Sequence, residues 1–418
     1  MRSASWTTLR EYGFRELPAV RVARIGRRRV KGRVGAVVIG GDYNGLGVVR
    51  SLGRHGVPVC LVDDEPSISQ YSRYTTYRVR VGPLRDDASI VASLLRTGDQ
   101  FDLEGWVLYP TRDEVVAAIA RNRAVLVDRF RVPLPDWSIV RWACDKRNTY
   151  QRAGELGVPT PRTWYPRDAA DLSEIDCDPP FVLKPAIKEN FIYATKAKAW
   201  RADSKGELAS RFVEAARLVG EGEIMVQELI PGDGRFQFAY CAFFKNGVGV
   251  ATMVTRRRRQ HPPEFGRAST FVETIEQPLL EALSERFLRE IDYYGLAELE
   301  YKLDSRTGEY KLLDFNARAW GYNSLGPRAG ADLAHALFAD AIGRPLAPQR
   351  ARSGVYWIRL LTDLPTGVVE IGRGTLRWRT YLRSLLSVDV ESVYSIDDLV
   401  PALAELALVP HLIRTRGF

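Results

Sequence analysis

The sequence predicts a mixed α/β and α+β chain, with a parallel βαβ unit near the N-terminus and an α+β region built around one β-hairpin. Residues 34–64, VGAVVIGGDYNGLGVVRSLGRHGVPVCLVDD, read as a buried strand, a Gly-rich turn, a helix and a second strand. Residues 295–322, GLAELEYKLDSRTGEYKLLDFNARAWGY, alternate apolar and polar positions on both sides of a Ser305–Gly308 turn. The 418 residues, 45% of them hydrophobic, suffice for about two or three domains with proper cores.

Residues 1–34 hold ten lysines and arginines against two glutamates, so this stretch carries +8 of the formal net charge of +9. The remaining chain is nearly neutral, and the basic pI describes a leader, expected over 1–33, that either is a flexible start or makes weak contact with a membrane surface or nucleic acid. No run is apolar enough to span a membrane, and the N-terminus lacks a signal-like apolar stretch, so a cytoplasmic location is expected. Cys60, Cys144, Cys177 and Cys241 are widely separated, as reduced thiols would be, and His55, His261, His335 and His411 show no zinc spacing.

The βαβ unit opens a domain expected over 34–137. Gly45, Gly47 and Arg50 give G-x-G-x-x-R, with Asp63 and Asp64 further on. The third glycine of a dinucleotide fingerprint is missing, so NAD binding stays open beside a plain tight turn. Trp106–Tyr109 reads as a strand running into a helix through Arg121. Arg112, beyond that strand's C-terminal end, is a candidate for a substrate carboxylate, while Thr111 or Asp113 as N-cap is the plain alternative.

Ser138–Gly157 has the spacing of one helix, with Lys146 inside it. Phe181–Pro185 is an apolar run that delivers Lys184, a costly residue there unless an anion meets it. Ile224–Gly232 reads as a strand holding Gln227, Glu228, Leu229 and Ile230. Gly249–Thr255 is another strand, followed by Arg256, Arg257, Arg258 and Arg259. No G-x-x-x-x-G-K-[ST] occurs, so no P-loop is present.

In the hairpin, the period of two puts Asp314, Asn316 and Arg318 on one face of the second strand and Leu313, Phe315 and Ala317 on the other. Glu298 and Glu300 share a face of the first strand, and the turn places one of them opposite or diagonal to Asp314. Facing carboxylates destabilise a sheet unless a cation lies between them, and carboxylate and amide oxygens suit Mg²⁺. Arg318 adds a fork of donors for phosphate. A solvated charged face is the alternative. The Gly330–Asp332 start of the next helix is a further anion candidate.

The E-x-K…LLDFNAR pattern resembles the metal hairpin of the ATP-grasp superfamily, in particular carboxylate-amine ligases of the D-aspartate ligase and carbamoyl-phosphate-synthase-like type. The resemblance runs from about Val34 to about Pro345. It implies a Rossmann-like pre-ATP-grasp domain, an ATP-grasp fold in two subdomains over 138–345, and a C-terminal α/β extension over 346–418. By it, Glu300, Asp314 and Asn316 hold Mg²⁺. Lys146 and Lys184 bind ATP phosphates, Gln227, Glu228, Leu229 and Ile230 meet adenine and ribose, and Glu228 is the favoured ribose or adenine contact. Arg318, with Arg257 and Arg258 on a loop after the 249–255 strand, acts in catalysis, and Arg256 and Arg267 join Arg112 as substrate candidates. Asp314 stands where many relatives have Glu. In place of a Gly-rich phosphate loop the chain has AIKENFIYATKAKAW, with Lys188, Lys196 and Lys198.

The implied reaction joins a small-molecule carboxylate to an amine with ATP and Mg²⁺ through an acyl phosphate, releasing ADP and phosphate. The alternatives are phosphorylation of another small acid such as bicarbonate, a nicotinamide oxidoreductase, and a non-catalytic nucleotide-binding protein. No specific nucleic-acid partner is expected, and a homodimer is the default assembly. The extension is expected to hold a strand near Val355–Leu360 and helices at Trp378–Leu386 and Asp397–Leu408, serving packing or an interface.

Overall fold

The computed structural model describes residues 21–23 and 32–416, apart from 196, 221, 264, 265 and 267. Most of the basic leader therefore lies outside the described residues. The strands of the described residues form three sheets.

The first sheet contains β1 (Arg21–Ala23), β2 (Ala36–Ile39), β3 (Val59–Asp63), β4 (Thr75–Arg80), β5 (Trp106–Pro110) and β6 (Phe130–Arg131), in the order β1-β4-β3-β2-β5-β6. Only the β1–β4 pair is antiparallel. Each residue of β2, β3 and β5 is buried, as continuous apolar runs in a doubly covered parallel sheet must be. The glycines of the Tyr43–Arg54 helix serve packing: a Cβ on Gly45 would lie 2.2 Å from the Gly40 carbonyl oxygen, and one on Gly47 would lie 2.2 Å from Asn323 Oδ1.

The second sheet, antiparallel, has the order β7-β10-β8-β9 from β7 (Thr163–Trp164), β8 (Phe181–Pro185), β9 (Trp200–Ala202) and β10 (Ile224–Glu228). It buries its own core, with Phe181, Leu183, Phe191, Phe212 and Val226. The third sheet is large and ordered β15-β14-β11-β12-β13-β17-β18. Its strands are β11 (Gln237–Lys245), β12 (Val248–His261), β13 (Ala268–Ile275), β14 (Gly295–Asp304), β15 (Glu309–Asn316), β17 (Tyr356–Ile358) and β18 (Val390–Glu391), with β16 (Gln349–Arg350) beside β12. The C-terminal extension thus adds three strands to this sheet.

Two expectations about elements are corrected. The single helix over 138–157 is two helices, Trp137–Cys144 and Lys146–Glu155, because Asp145 adopts extended backbone (φ −125°, ψ 118°) and its side chain accepts from Arg147 N. The strand expected to end at Thr255 runs on to His261, so Arg256–Arg259 lie on a strand and not on a loop. Pairing with β13 extends it, with irregular register on both sides of Arg259. In the extension, Trp378–Leu386 is a helix as expected, the last helix spans Val400–Arg416, and an unanticipated helix covers Leu360–Gly372 despite Pro365.

Candidate active site

The β14–β15 hairpin turns where Thr307 and Gly308 donate their backbone N–H groups to the Asp304 carbonyl at 3.2 and 2.7 Å, Gly308 supplying the positive φ of 74°. This register places Glu300 opposite Asp314 and Glu298 opposite Asn316. It then passes from Glu300–Asp314 to Tyr301–Leu312, leaving Leu313 as a bulge residue. Strict alternation therefore fails at Leu313, which lines the same cavity as Asp314. Its carbonyl accepts from the Tyr150 hydroxyl at 2.8 Å.

The carboxylates on the hairpin face are balanced by cations from distant elements. Lys146 Nζ lies 2.5 Å from Asp314 Oδ1, and Arg257 Nη2 lies 3.1 Å from Glu300 Oε2. Glu298, buried, accepts from the Tyr322 hydroxyl at 2.5 Å and from Asn316 Nδ2 at 3.0 Å. Burial, and then the neighbouring Glu300 charge, push its carboxyl up to about 7. Arg318 is held by Asp113 at 2.8 and 3.0 Å and donates to Asn316 Oδ1 at 3.0 Å. Lys184, at the end of β8, donates to the Tyr150 hydroxyl at 2.7 Å. Its ammonium is depressed to about 7, by burial and then by Lys146, against the pull of Asp314 and Glu300.

Two cavities meet at this face. One, of about 160 Å³, has apolar walls from Val182, Leu229, Ile230 and Leu313, and leads to Lys146, Lys184 and Asp314. The other, of about 340 Å³, lies toward the first sheet and is lined by Arg112, Asp113, Glu298, Asn316, Arg318 and Trp320, among others. Lys198, Arg257 and Glu300 line both. Lys198, from the AIKENFIYATKAKAW stretch, is placed at the junction. Lys196 lies outside the described residues.

The structure brings Lys146, Lys184, Gln227, Leu229, Ile230, Arg257, Glu300, Asp314, Asn316 and Arg318 to these walls. Gln227 donates to Thr163 Oγ1 at 2.6 Å. Glu228 lines the apolar cavity, yet its carboxylate is held by Lys311 and Arg306, each at 2.8 Å, and by Arg162 N at 3.0 Å. The carboxylate expected to contact ribose or adenine therefore sits in an ion network at the cavity wall. Arg112 lines the larger cavity with its guanidinium clasped by Asp64 at 2.6 Å and Asp63 at 2.7 Å.

Arg258 and Arg256 are not brought in. Alternation along β12 sends them to the face opposite Arg257, where Arg258 pairs with Glu273 at 2.8 Å and Arg256 donates to the Arg235 carbonyl at 3.0 Å. Arg267 lies outside the described residues. The helix start at Gly330–Asp332 holds its own anion: Asp332 is the N-cap of the Leu333–Ala341 helix and accepts from His335 N at 3.1 Å. Thr111 and Asp113 are not N-caps, since Arg112 occupies that position, and Asp113 instead holds Arg318. Tyr150, Tyr322, Lys311 and the Arg306–Glu228 contact were missed, because each depends on a partner remote in sequence.

Among the described residues no cluster of three or more His, Cys, Asp or Glu side chains is placed to hold a metal ion. Glu300 and Asp314 face each other with the Asn316 amide alongside, a set of two carboxylates and one amide. Such a set fits a hard divalent ion that completes its shell with phosphate oxygens and water.

No family model matches the chain. It is 23% identical to D-aspartate ligase of Enterococcus faecium over 324 residues, covering 73% of this chain and 76% of that protein. Biotin carboxylase from Campylobacter jejuni superposes with a TM-score of 0.62 at 12% identity, covering 78% of this chain and 74% of that one. The L-amino acid ligase from Bacillus licheniformis superposes with a TM-score of 0.59 at 16% identity, covering 76% of each.

Proposed function

We propose that this chain, which belongs to the ATP-grasp superfamily and has its fold, is an ADP-forming carbon–nitrogen ligase that joins a carboxylate to an amine through an acyl phosphate. The observation that carries the reading is the junction of two cavities, one apolar and cation-ended, the other polar, at Glu300, Arg257 and Lys198. A nucleotide fits the first, with adenine against the 227–230 segment and Val182 and its phosphates toward Lys146 and Lys184. The acid and the amine fit the second. The likeness to a D-aspartate ligase favours an amino acid as one of the two substrates. The four cysteines, none of them in a disulfide, and the use of ATP favour a cytoplasmic location.

In this reading Glu300, Asp314 and Asn316 hold Mg²⁺. When bound, it neutralises phosphate charge during phosphoryl transfer. Lys146 and Lys184 orient the phosphate chain, and little covalent work falls to the protein. A substrate carboxylate oxygen attacks the terminal phosphorus and the bond to the ADP oxygen breaks. The amine nitrogen then attacks the acyl carbon, the carbon–oxygen bond to phosphate breaks, and the amine proton is lost. Arg257 and Arg318, which both line the larger cavity, stabilise the charge on the transferring group and on the collapsing acyl phosphate.

The test measures ADP and phosphate release with Mg²⁺ and ATP over a panel of amino acids and small carboxylates, with mass spectrometry of the products. Release matched by a product weighing acid plus amine minus water is expected, and Asp314→Asn should lower it by at least about a hundredfold. AMP and pyrophosphate as products would overturn the acyl-phosphate route.

A further inference from the structure

The Leu360–Gly372 and Trp378–Leu386 helices form a hairpin that is packed inside out. The buried guanidinium of Arg259 binds Asp363 at 2.9 and 2.8 Å and Ser384 at 2.9 Å, and it lies over the ring of Tyr381. Tyr381 in turn packs against Gly367. These contacts turn Thr362, Asp363, Thr366 and Gly367 of the first helix, and Tyr381 and Ser384 of the second, toward the large sheet. With about 100° per residue, Leu364 and Val368 on the first helix and Trp378, Leu382 and Leu386 on the second are then directed away from it. They are exposed: Val368 by 69%, Trp378 by 55%, Leu382 by 49% and Leu386 by 89%. A helix that only covers a core does the reverse, burying its apolar stripe.

The rim of this face is basic. Within residues 368–387 stand Arg373, Arg377, Arg379 and Arg383 against Glu370 alone, and all four arginines are exposed. We infer that the hairpin face is a docking surface for an anionic membrane interface, lying in the plane of the headgroups with its leucines and Trp378 inserted and its arginines among the phosphates. Charge selects this occupant. A second copy docked across a two-fold axis would set one arginine rim against the other, whereas an anionic headgroup layer over acyl chains complements both the charge and the apolar stripe. Among the described residues no helix is long and apolar enough to cross a membrane, and the contact inferred here is interfacial. It is independent of the proposed reaction.

The experiment is flotation of the full chain with vesicles of phosphatidylcholine alone and with about one-third phosphatidylglycerol. Recruitment to the anionic vesicles is expected, falling about tenfold or more in Leu382→Glu/Leu386→Glu and also falling in Arg379→Gln/Arg383→Gln. Brominated lipid should quench a tryptophan signal that is missing in Trp378→Phe, a readout that stands even if a charged variant folds poorly. Absence of anionic recruitment would overturn the inference. So would recruitment unchanged by the leucine substitutions, which would assign binding to the basic leader. A dimer in light scattering that those substitutions dissociate, without vesicle binding, would assign the face to a second copy.

Discussion

Lys184 shows how one residue couples binding to pH. Its folded value of about 7 lies below its ordinary 10.5, so between these values the unfolded chain binds more protons than the folded one. Stability therefore rises with pH across that window and is lowest below pH 7, where a charged, desolvated ammonium must be carried. A phosphate chain arriving beside Lys184 favours the charged form. Nucleotide binding above pH 7 is accordingly expected to take up a proton, and affinity is expected to fall as pH rises from 7 to 9. Calorimetry in buffers of different ionisation enthalpy checks this. Glu298 titrates in the same region, so Lys184→Met isolates the effect: the uptake should vanish in that variant, and uptake that persists would remove Lys184 from the phosphate site. The lysine at the end of an apolar run was legible from sequence, because burial of a charge is a local conflict. Its partner Tyr150 was not, since the two meet only through packing.

At the scale of the element, the break between the Trp137–Cys144 and Lys146–Glu155 helices sets the position of Lys146. Periodicity runs through the break because apolar positions on both sides face the same core, so the sequence read as one helix. The cap at Asp145 makes Lys146 the first helical residue, with its backbone N–H on the Ala186 carbonyl at 3.1 Å and its ammonium on Asp314. Replacing Asp145 by Ala removes the bond to Arg147 N and should cost about 1 kcal/mol of stability. It should also weaken nucleotide binding severalfold, because the lysine loses its fixed origin. Thermal unfolding and a titration with ATP measure the two effects, and a stability loss with unchanged affinity would separate the cap from the site. The β12 strand teaches the same lesson. Four consecutive arginines read as a loop, since nothing local favours a strand there. Pairing with β13, Glu273 under Arg258 and Asp363 under Arg259 supply the partners that make the strand stable.

For the whole molecule, the C-terminal extension joins the first sheet's domain to the large sheet. Arg50 and Asp398, both almost fully buried, pair at 3.0 Å, and Arg50 also donates to the carbonyls of Val393 and Asp398. Arg359 binds Glu405 at 2.8 Å. Arg50→Met would leave Asp398 buried without its cation and should cost about 3–5 kcal/mol. Arg54→Ala, at the partly exposed neighbouring pair with Asp397, should cost no more than about 1 kcal/mol. Chemical unfolding of the two variants checks the contrast. Equal losses would show that the buried pair has no special weight in holding the extension down.

Local order determined much of this protein from the sequence alone. Periods of two and 3.6, turn residues and apolar runs are short-range signals, and they placed the βαβ unit, the hairpin, the β8 and β10 strands, and Lys184, Asp314 and Asn316 as candidates, while Lys146 and the choice of Glu300 over Glu298 came from the resemblance to ATP-grasp ligases. What the tertiary structure decided is which charge meets which. Lys146 and Asp314 stand 168 residues apart, and Glu228 and Lys311 stand 83 apart. No local pattern encodes those meetings. Strand register and bulges chose Arg257 over Arg258 and turned Leu313 into the cavity, and Arg259 turned a leucine-rich hairpin outward. A side chain's chemistry is written in its type, but its partner is fixed only when distant strands pair and the unpaired alternatives are too costly to bury.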